Sequence, residues 1–363
     1  MKIAVDAMGG DNAPEVVVDG VIQYLQENQG QIILFGQQDL LFPLLEKKGA
    51  KDLPIEVRHS SESVDMNEAP STALRRKKDS SIRKAIESVA SGEAGAVVSA
   101  GNTGAVLAIS TVILKPMQCV DRPAISILLP TAKGHSILLD AGANVDCKSS
   151  QLFQFAIMGH VYAKYVLKKE NPKVGLLSIG EEDSKGNEIS KEAFKMLKKT
   201  DINFIGNVEG KEVYRGNADV IVCDGFTGNI ALKISESLAE MIGNSIKDLF
   251  MTNWRTKLAF KLVEPYFRAF KKSVDYNEVG GAPLLGINGT CIICHGSSKA
   301  KAIKNAIQLA EEFIKNEVNA HIREGIEKNL AHAYAGARKG RFWQQLKETI
   351  HFGSGAEKTE PES

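Results

Sequence analysis

The chain has 363 residues, 43% apolar and 25% charged, with 45 Lys plus Arg against 44 Asp plus Glu. That length allows one large α/β domain with an excursion, or two modest domains. A net charge of +1 makes no global case for nucleic-acid binding, so a charged partner has to be met by a local patch.

In "MKIAVDAMGG" Asp6 interrupts the apolar run before it reaches signal-peptide length. No stretch approaches the roughly 18 apolar residues of a spanning helix. A cytoplasmic protein with five reduced cysteines is expected. "KIAVD" reads as a strand followed by a loop, and a helix is expected from about Pro14 to Glu27, Pro14 suiting its first turn. Strands follow at 31–36 and 54–60, then a Ser-capped helix over 80–92. Residues 94–114 read as strand, tight loop and helix. "AISILLP" and "HSILLDAGAN" are two strands joined by "TAKG", and a long helix runs from about Ser149 to Lys169. The segments 173–180, 202–210 and 218–229 each read as strand into loop. Strands alternating with helices, Val/Ile/Leu-rich on both faces, imply βαβ units and a mainly parallel sheet. In such sheets ligands sit at the carboxyl ends of strands.

"TCIICHG" contains the Cys291-x-x-Cys294-His295 spacing of covalent haem attachment. On a strand the two cysteines point to opposite faces. The plainer reading is a buried strand with cysteines as small hydrophobes. Phosphate-loop, dinucleotide, zinc-protease and nucleophile-elbow motifs are all missing by spacing, and the seven scattered histidines call for no metal site.

Gly, Asn, Asp and Ser concentrate in the loops after the strands. Gly101-Asn102-Thr103-Gly104, Gly225-Phe226-Thr227-Gly228-Asn229 and His295-Gly296-Ser297-Ser298 each stand at a helix start, where free N–H groups receive anions. Three such loops on one sheet edge favour phosphate handling. Lys185, in "GEEDSKGNE", is either a phosphate-binding point charge or a solvated loop lysine. Asn229 is either an amide donor to an oxyanion or a first-turn residue. His295 either faces the same edge or packs.

Together "VDAMGGDNAPE", "SAGNTGA", "DAGAN", "GEEDSKGN", "VCDGFTGNIALK" and "GGAPLLGINGTCIICHGSS" resemble the bacterial phosphate acyltransferase of phospholipid synthesis, in order, from Met1 to about Phe313. The resemblance implies an αβα sandwich with a mainly parallel sheet, similar to phosphotransacetylase and isocitrate-type dehydrogenase folds. It implies transfer of a fatty acyl group from acyl carrier protein to inorganic phosphate, without a cofactor or metal, usually in a homodimer. A membrane glycerol-phosphate acyltransferase would take the product. By motif match Lys185 and Asn229 are the catalytic residues, while Gly101, Asn102, Thr103, Gly104, Asp140, Asn144, Asp224, His295 and Ser297 line the substrate pocket. A coenzyme A phosphotransacetylase, a related dehydrogenase and a non-catalytic membrane scaffold are the rival readings.

Residues 251–273 carry six basic residues and one acid among aromatic and aliphatic side chains. This is the pattern of an interfacial segment, or of a docking face for an acidic carrier. Trp254, Arg255, Lys257, Lys261, Phe267 and Arg268 are the expected membrane or carrier contacts, with Pro265 breaking or bending the segment. The alternative is a dimer or core helix with a solvated basic face. Residues 337–352, including Trp343, have similar character. The expected layout is a single catalytic domain over 1–320 with a helical excursion near 240–275. A C-terminal extension over 321–363 would be partly helical, then disordered from about Gly353. Peripheral attachment to the inner membrane face follows.

Overall fold

The computed structural model describes residues 1–274 and 280–333. Eleven strands form one sheet: β1 Lys2–Asp6, β2 Gln31–Gly36, β3 Ile55–His59, β4 Ala96–Ser99, β5 Ala124–Thr131, β6 Gly134–Leu139, β7 Val174–Ser178, β8 Phe204–Glu209, β9 Val220–Val222, β10 Ala282–Leu285 and β11 Thr290–Ile293. Their order is β3-β2-β1-β4-β11-β10-β5-β6-β9-β7-β8. The first five in that order are mutually parallel. The last four, from β6 to β8, are also parallel to one another. Between the blocks β10 is antiparallel to both β11 and β5, and β5 is antiparallel to β6. Three reversals intervene, so the two parallel blocks run in opposite directions.

Helices cover both faces. On one face lie α1 (Glu15–Glu27), α2 (Gln38–Lys47), α6 (Ser149–Tyr165), α7 (Glu188–Leu197), α10 (Ala300–Lys315) and α11 (Val318–Ala333). On the other lie α4 (Ser81–Ala90) and α5 (Thr103–Ile113), with the short α3 (Pro70–Arg76) packed on α5. Along β2 the strand period of two sends Ile32 and Leu34 to the first face, Ile33 and Phe35 to the second. The layering is the expected αβα sandwich. α6 lies under β6, β7 and β9 and also packs on α7 and α11. Its Phe153, Phe155 and Tyr162 are fully buried. Each such side chain contributes roughly 1.5–3 kcal/mol on leaving water. Ser80 does precede α4, but its Oγ donates to the Lys77 carbonyl instead of capping the helix.

Cys291 and Cys294 are buried on opposite faces of the sheet, one in each apolar cluster. Burial pushes both thiols up to about 12. They are neutral core groups. Among the described residues no cluster of His, Cys, Asp or Glu could hold a metal.

α8 (Gly225–Met251) and α9 (Trp254–Val274) form the helical excursion and pack on each other, with Phe260 touching both Phe250 and Phe267. α9 continues through Pro265 without a break in its assignment. No described helix is long and apolar enough to cross a membrane. α11 runs through the boundary expected at 320, with Ile322 and Ile326 fully buried in the main cluster. The Arg268 side chain, the 337–352 segment and the tail from 353 lie outside what the structure describes.

Candidate active site

Because the blocks run in opposite directions, the polar loops divide between two edges of the sheet. The loops after β1, β4 and β11 share one edge. Those after β6, β7 and β9 share the other.

At the first edge, Asn102 caps α5 by accepting from Ala105 N at 3.0 Å. Its amide group donates to the carbonyls of Met66 and Glu68 at 2.8 and 2.9 Å. Both ends of this side chain are therefore occupied in holding two loops together. Thr103 is exposed in the first turn, and Gly104 lies against Pro70. Gly101 N donates to Ser99 Oγ, which donates to Asp6 at 2.7 Å. Asp6 is buried beneath this loop, and burial raises its carboxyl above the usual range. The motif reading missed Asp6. Its signal was present in "KIAVD", an acid ending an apolar strand. His295 is exposed, its Nδ1 accepting from Ser297 N at 3.2 Å and lying 2.8 Å from Ser297 Oγ.

At the second edge the chain leaves β6 through Asp140. Its carboxylate accepts from the N–H groups of Ile125, Gly142, Ala143 and Asn144 and from the Asn144 amide, at 2.7–3.1 Å. Asn144 also donates to the Pro123 carbonyl at 2.7 Å. Burial raises the Asp140 carboxyl, while these donors pull it down. Asp140 and Asn144 thus build the loop that was expected to bind substrate directly.

α8 is pressed onto this loop. Gly225 N donates to Asn144 O at 2.7 Å. A Cβ on Gly228 would stand 1.9 Å from the Asp140 carbonyl, so only glycine fits. Asp224 caps α8, accepting from Thr227 N at 2.7 Å and Thr227 Oγ1 at 3.0 Å. One turn in, Asn229 lies against Gly142, half-buried, with no side-chain hydrogen bond among the described residues.

The loop after β7 closes the other side. Asn207 donates to the Glu182 carbonyl at 2.8 Å, and Asn187 caps α7 by accepting from Ser190 N at 2.8 Å. Lys185 is exposed between these anchors and makes no ion pair among the described residues. A cavity of about 640 Å³ opens between the loops, in the usual size range for small-molecule sites. Gly186 and Asn187 line one side, Asp224 and Thr227 another, with Cys147, Leu152, Leu176 and Cys223 in the wall. Burial, joined by nearby carboxylates, pushes the Cys147 thiol up to about 11. Neither Lys185 nor Asn229 is in this lining; Lys185 directly precedes Gly186, and Asn229 stands two residues after Thr227 on α8. The AGNTG loop, expected on the same sheet edge as the GFTGN loop, lies at the other edge of this chain.

The family model described as fatty acid synthesis protein matches residues 1–321. A phosphate acyltransferase from Pelobacter propionicus is 50% identical over 329 residues, 91% of this chain and 95% of its relative. Another from Thermodesulfovibrio yellowstonii is 51% identical over 327 residues, covering 90% and 94%. This chain belongs to the phosphate acyltransferase family. Its fold is similar to that of a phosphotransacetylase from Streptococcus pyogenes, with a TM-score of 0.59 at 18% identity over 86% of this chain and 94% of that one. A EutD phosphotransacetylase from Staphylococcus aureus gives 0.56 at 17% identity, over the same shares. This member of the family is an acyltransferase.

Proposed function

We propose that the protein transfers a long-chain fatty acyl group from acyl carrier protein to inorganic phosphate, at the edge formed by the loops after β6, β7 and β9. The observation that carries this siting is a contrast in hydrogen bonding. Asn102 and Asp140 bond backbone groups, and the Asn144 amide donates to the Pro123 carbonyl and to the Asp140 carboxylate. The side chains of Lys185 and Asn229 make no hydrogen bond or ion pair among the described residues, and each stands within two residues of the cavity lining, next to Gly186 and Thr227.

The phosphate dianion attacks the thioester carbonyl, so no Ser or Cys nucleophile is needed. The new P–O–C bond forms as the carbonyl π electrons move to oxygen. Collapse of the tetrahedral intermediate breaks the C–S bond and expels the carrier thiolate, a fair leaving group because thiols titrate near pH ~8.5. Lys185 holds phosphate as a point charge. Asn229 donates its amide N–H to the oxyanion, an interaction typically worth about 2.7–4 kcal/mol. Holding phosphate against the carbonyl lowers the barrier by up to roughly 7–11 kcal/mol.

α9 serves as the membrane or carrier contact in this reading. Trp254, Leu258, Leu262 and Tyr266 recur every four residues and are all exposed, with the Arg255 guanidinium 5.4 Å from the Trp254 ring centre. Lys257 and Lys261 flank this stripe, and Phe267 packs on Phe260. Such a helix lies in an anionic lipid surface with its apolar side down. The protein acts as a homodimer at the inner face of the membrane and releases a lipophilic acyl phosphate there to a glycerol-phosphate acyltransferase.

The test supplies or withholds phosphate with palmitoyl-acyl carrier protein, follows thiol release and traps acyl phosphate with hydroxylamine. Phosphate-dependent thiol release with a trapped hydroxamate is expected. The fold likeness favours one rival, a small-acyl phosphotransacetylase. Turnover of acetyl-coenzyme A in place of the carrier substrate would select it.

A further inference from the structure

We infer that the cavity between β7, α6, α7 and α8 holds the fatty chain, and that Leu152, Leu176 and Cys147 at its floor set the chain length accepted. This rests on the acyl-transfer reading above and extends it to a part of the substrate that Lys185 and Asn229 do not touch.

Polarity is graded through the cavity. Leu176 and Ser178 share one face of β7. Ser178 ends the strand at the loop edge, and Leu176 lies two residues deeper, fully buried. Leu152, Cys147 and Cys223 complete a wall of buried apolar and sulfur groups. Both thiols are held neutral by burial. The rim is apolar yet open to solvent, with Ile179 84%, Val145 60% and Phe226 57% exposed. The polar groups of the lining mostly satisfy one another. Asn187 accepts from Ser190 N, Ser190 Oγ donates to the Asn187 carbonyl, and Thr227 donates to Asp224. A polar ligand would find few free partners deep inside. An alkyl chain needs none and gains from the apolar wall. The exception is Ser178 Oγ, buried without a partner. It stands at the end where an acyl head group, not the tail, would lie.

Two measurements test this. In the first, Leu176→Phe fills the floor and Leu176→Ala deepens it. Turnover is compared on octanoyl-, lauroyl- and palmitoyl-acyl carrier protein. Leu176→Phe should lower the palmitoyl-to-octanoyl ratio of kcat/KM by about tenfold or more, in line with what single methylenes are worth in tight pockets. Leu176→Ala should raise that ratio. Equal losses at every chain length would overturn the assignment.

The second measurement needs neither a variant nor turnover. Wild-type protein is treated with methyl methanethiosulfonate, and Cys147 and Cys119 are followed by mass spectrometry. Cys119 is half-buried and outside the cavity lining, so it serves as the control. Dodecylphosphonate, an analogue of the acyl phosphate product, should slow labelling of Cys147 and leave Cys119 unchanged. Methylphosphonate should protect far less. Equal effects of the two phosphonates, or protection of both cysteines, would overturn the proposal. Protection by dodecylphosphonate in a Lys185→Ala protein that kept full turnover would leave the chain site standing and remove the catalytic reading alone.

Discussion

Replacing Asp140 by Asn separates a loop-building role from a substrate-binding one. One carboxylate oxygen accepts three N–H groups, from Ile125, Gly142 and Ala143, at 3.0–3.1 Å. The other accepts two, from the backbone and amide of Asn144, at 2.7 and 2.9 Å. Whichever way an asparagine is turned, its NH2 faces at least two donors. Each buried donor left without an acceptor costs about 1–3 kcal/mol, giving about 2–6 kcal/mol in total. That is a large part of the roughly 5–15 kcal/mol by which a domain is stable. The loop also seats the first turn of α8, so Asn229 should lose its position as the loop loosens. Urea unfolding of Asp140→Asn is expected to show a lower midpoint with the loss above, and phosphate-dependent thiol release should fall with it. A variant as stable as wild type, within about 1 kcal/mol, would refute the hydrogen-bond accounting. If its activity were nevertheless abolished, Asp140 would be acting on substrate directly.

Lys185→Ala should remove most turnover while leaving the urea midpoint unchanged, because the lysine is exposed and its side chain makes no hydrogen bond or ion pair among the described residues. Asn229→Ala should lower kcat by about 10²–10³ with a small change in KM, the signature of a lost oxyanion donor. Gly228→Ala should both destabilise the protein and abolish activity, since its Cβ would stand 1.9 Å from the Asp140 carbonyl. Circular dichroism melting and the hydroxamate assay read the two effects. His160 on α6 has its pKa lowered, first by burial and then by Lys164. The unfolded chain therefore binds the proton more readily, and stability is lost as pH falls below the unfolded histidine value near ~6.5. Urea midpoints compared between pH 7 and pH 5 should fall further for wild type than for His160→Gln.

Ten of the eleven strands were legible in the sequence as short apolar runs bounded by turn residues; the four-residue β10 was not. The strand at 290–293 was legible for the same reason, which set aside the haem-like spacing. Direction was not legible. Periodicity shows that β6 and β9 are strands, but nothing local shows that β10 and β5 reverse the sheet between the blocks. Loops assigned to one edge therefore separate onto two. The loop-building part played by Asp140, Asn144 and Asn102 was not legible either, because the same side chains that suit a binding site here hold their own loops through backbone groups and one another. The cavity wall was not legible at all, because Leu152, Leu176 and the two cysteines look like ordinary core until two helices leave a gap beside them. α11 was also missed as core, since its chief packing partner, α6, is far away in sequence.

The position of β10 and β11 bears on how the chain is made. They occupy the middle of the sheet, yet they are the last of the described strands to leave the ribosome. Until residue 293 has emerged, β4 and β5 are open strand edges with no neighbour on that side. Such edges are templates for pairing with other chains. A nascent chain stalled or truncated before that point would carry two sticky half-sheets, and chaperone dependence should end abruptly once this hairpin-like pair is released.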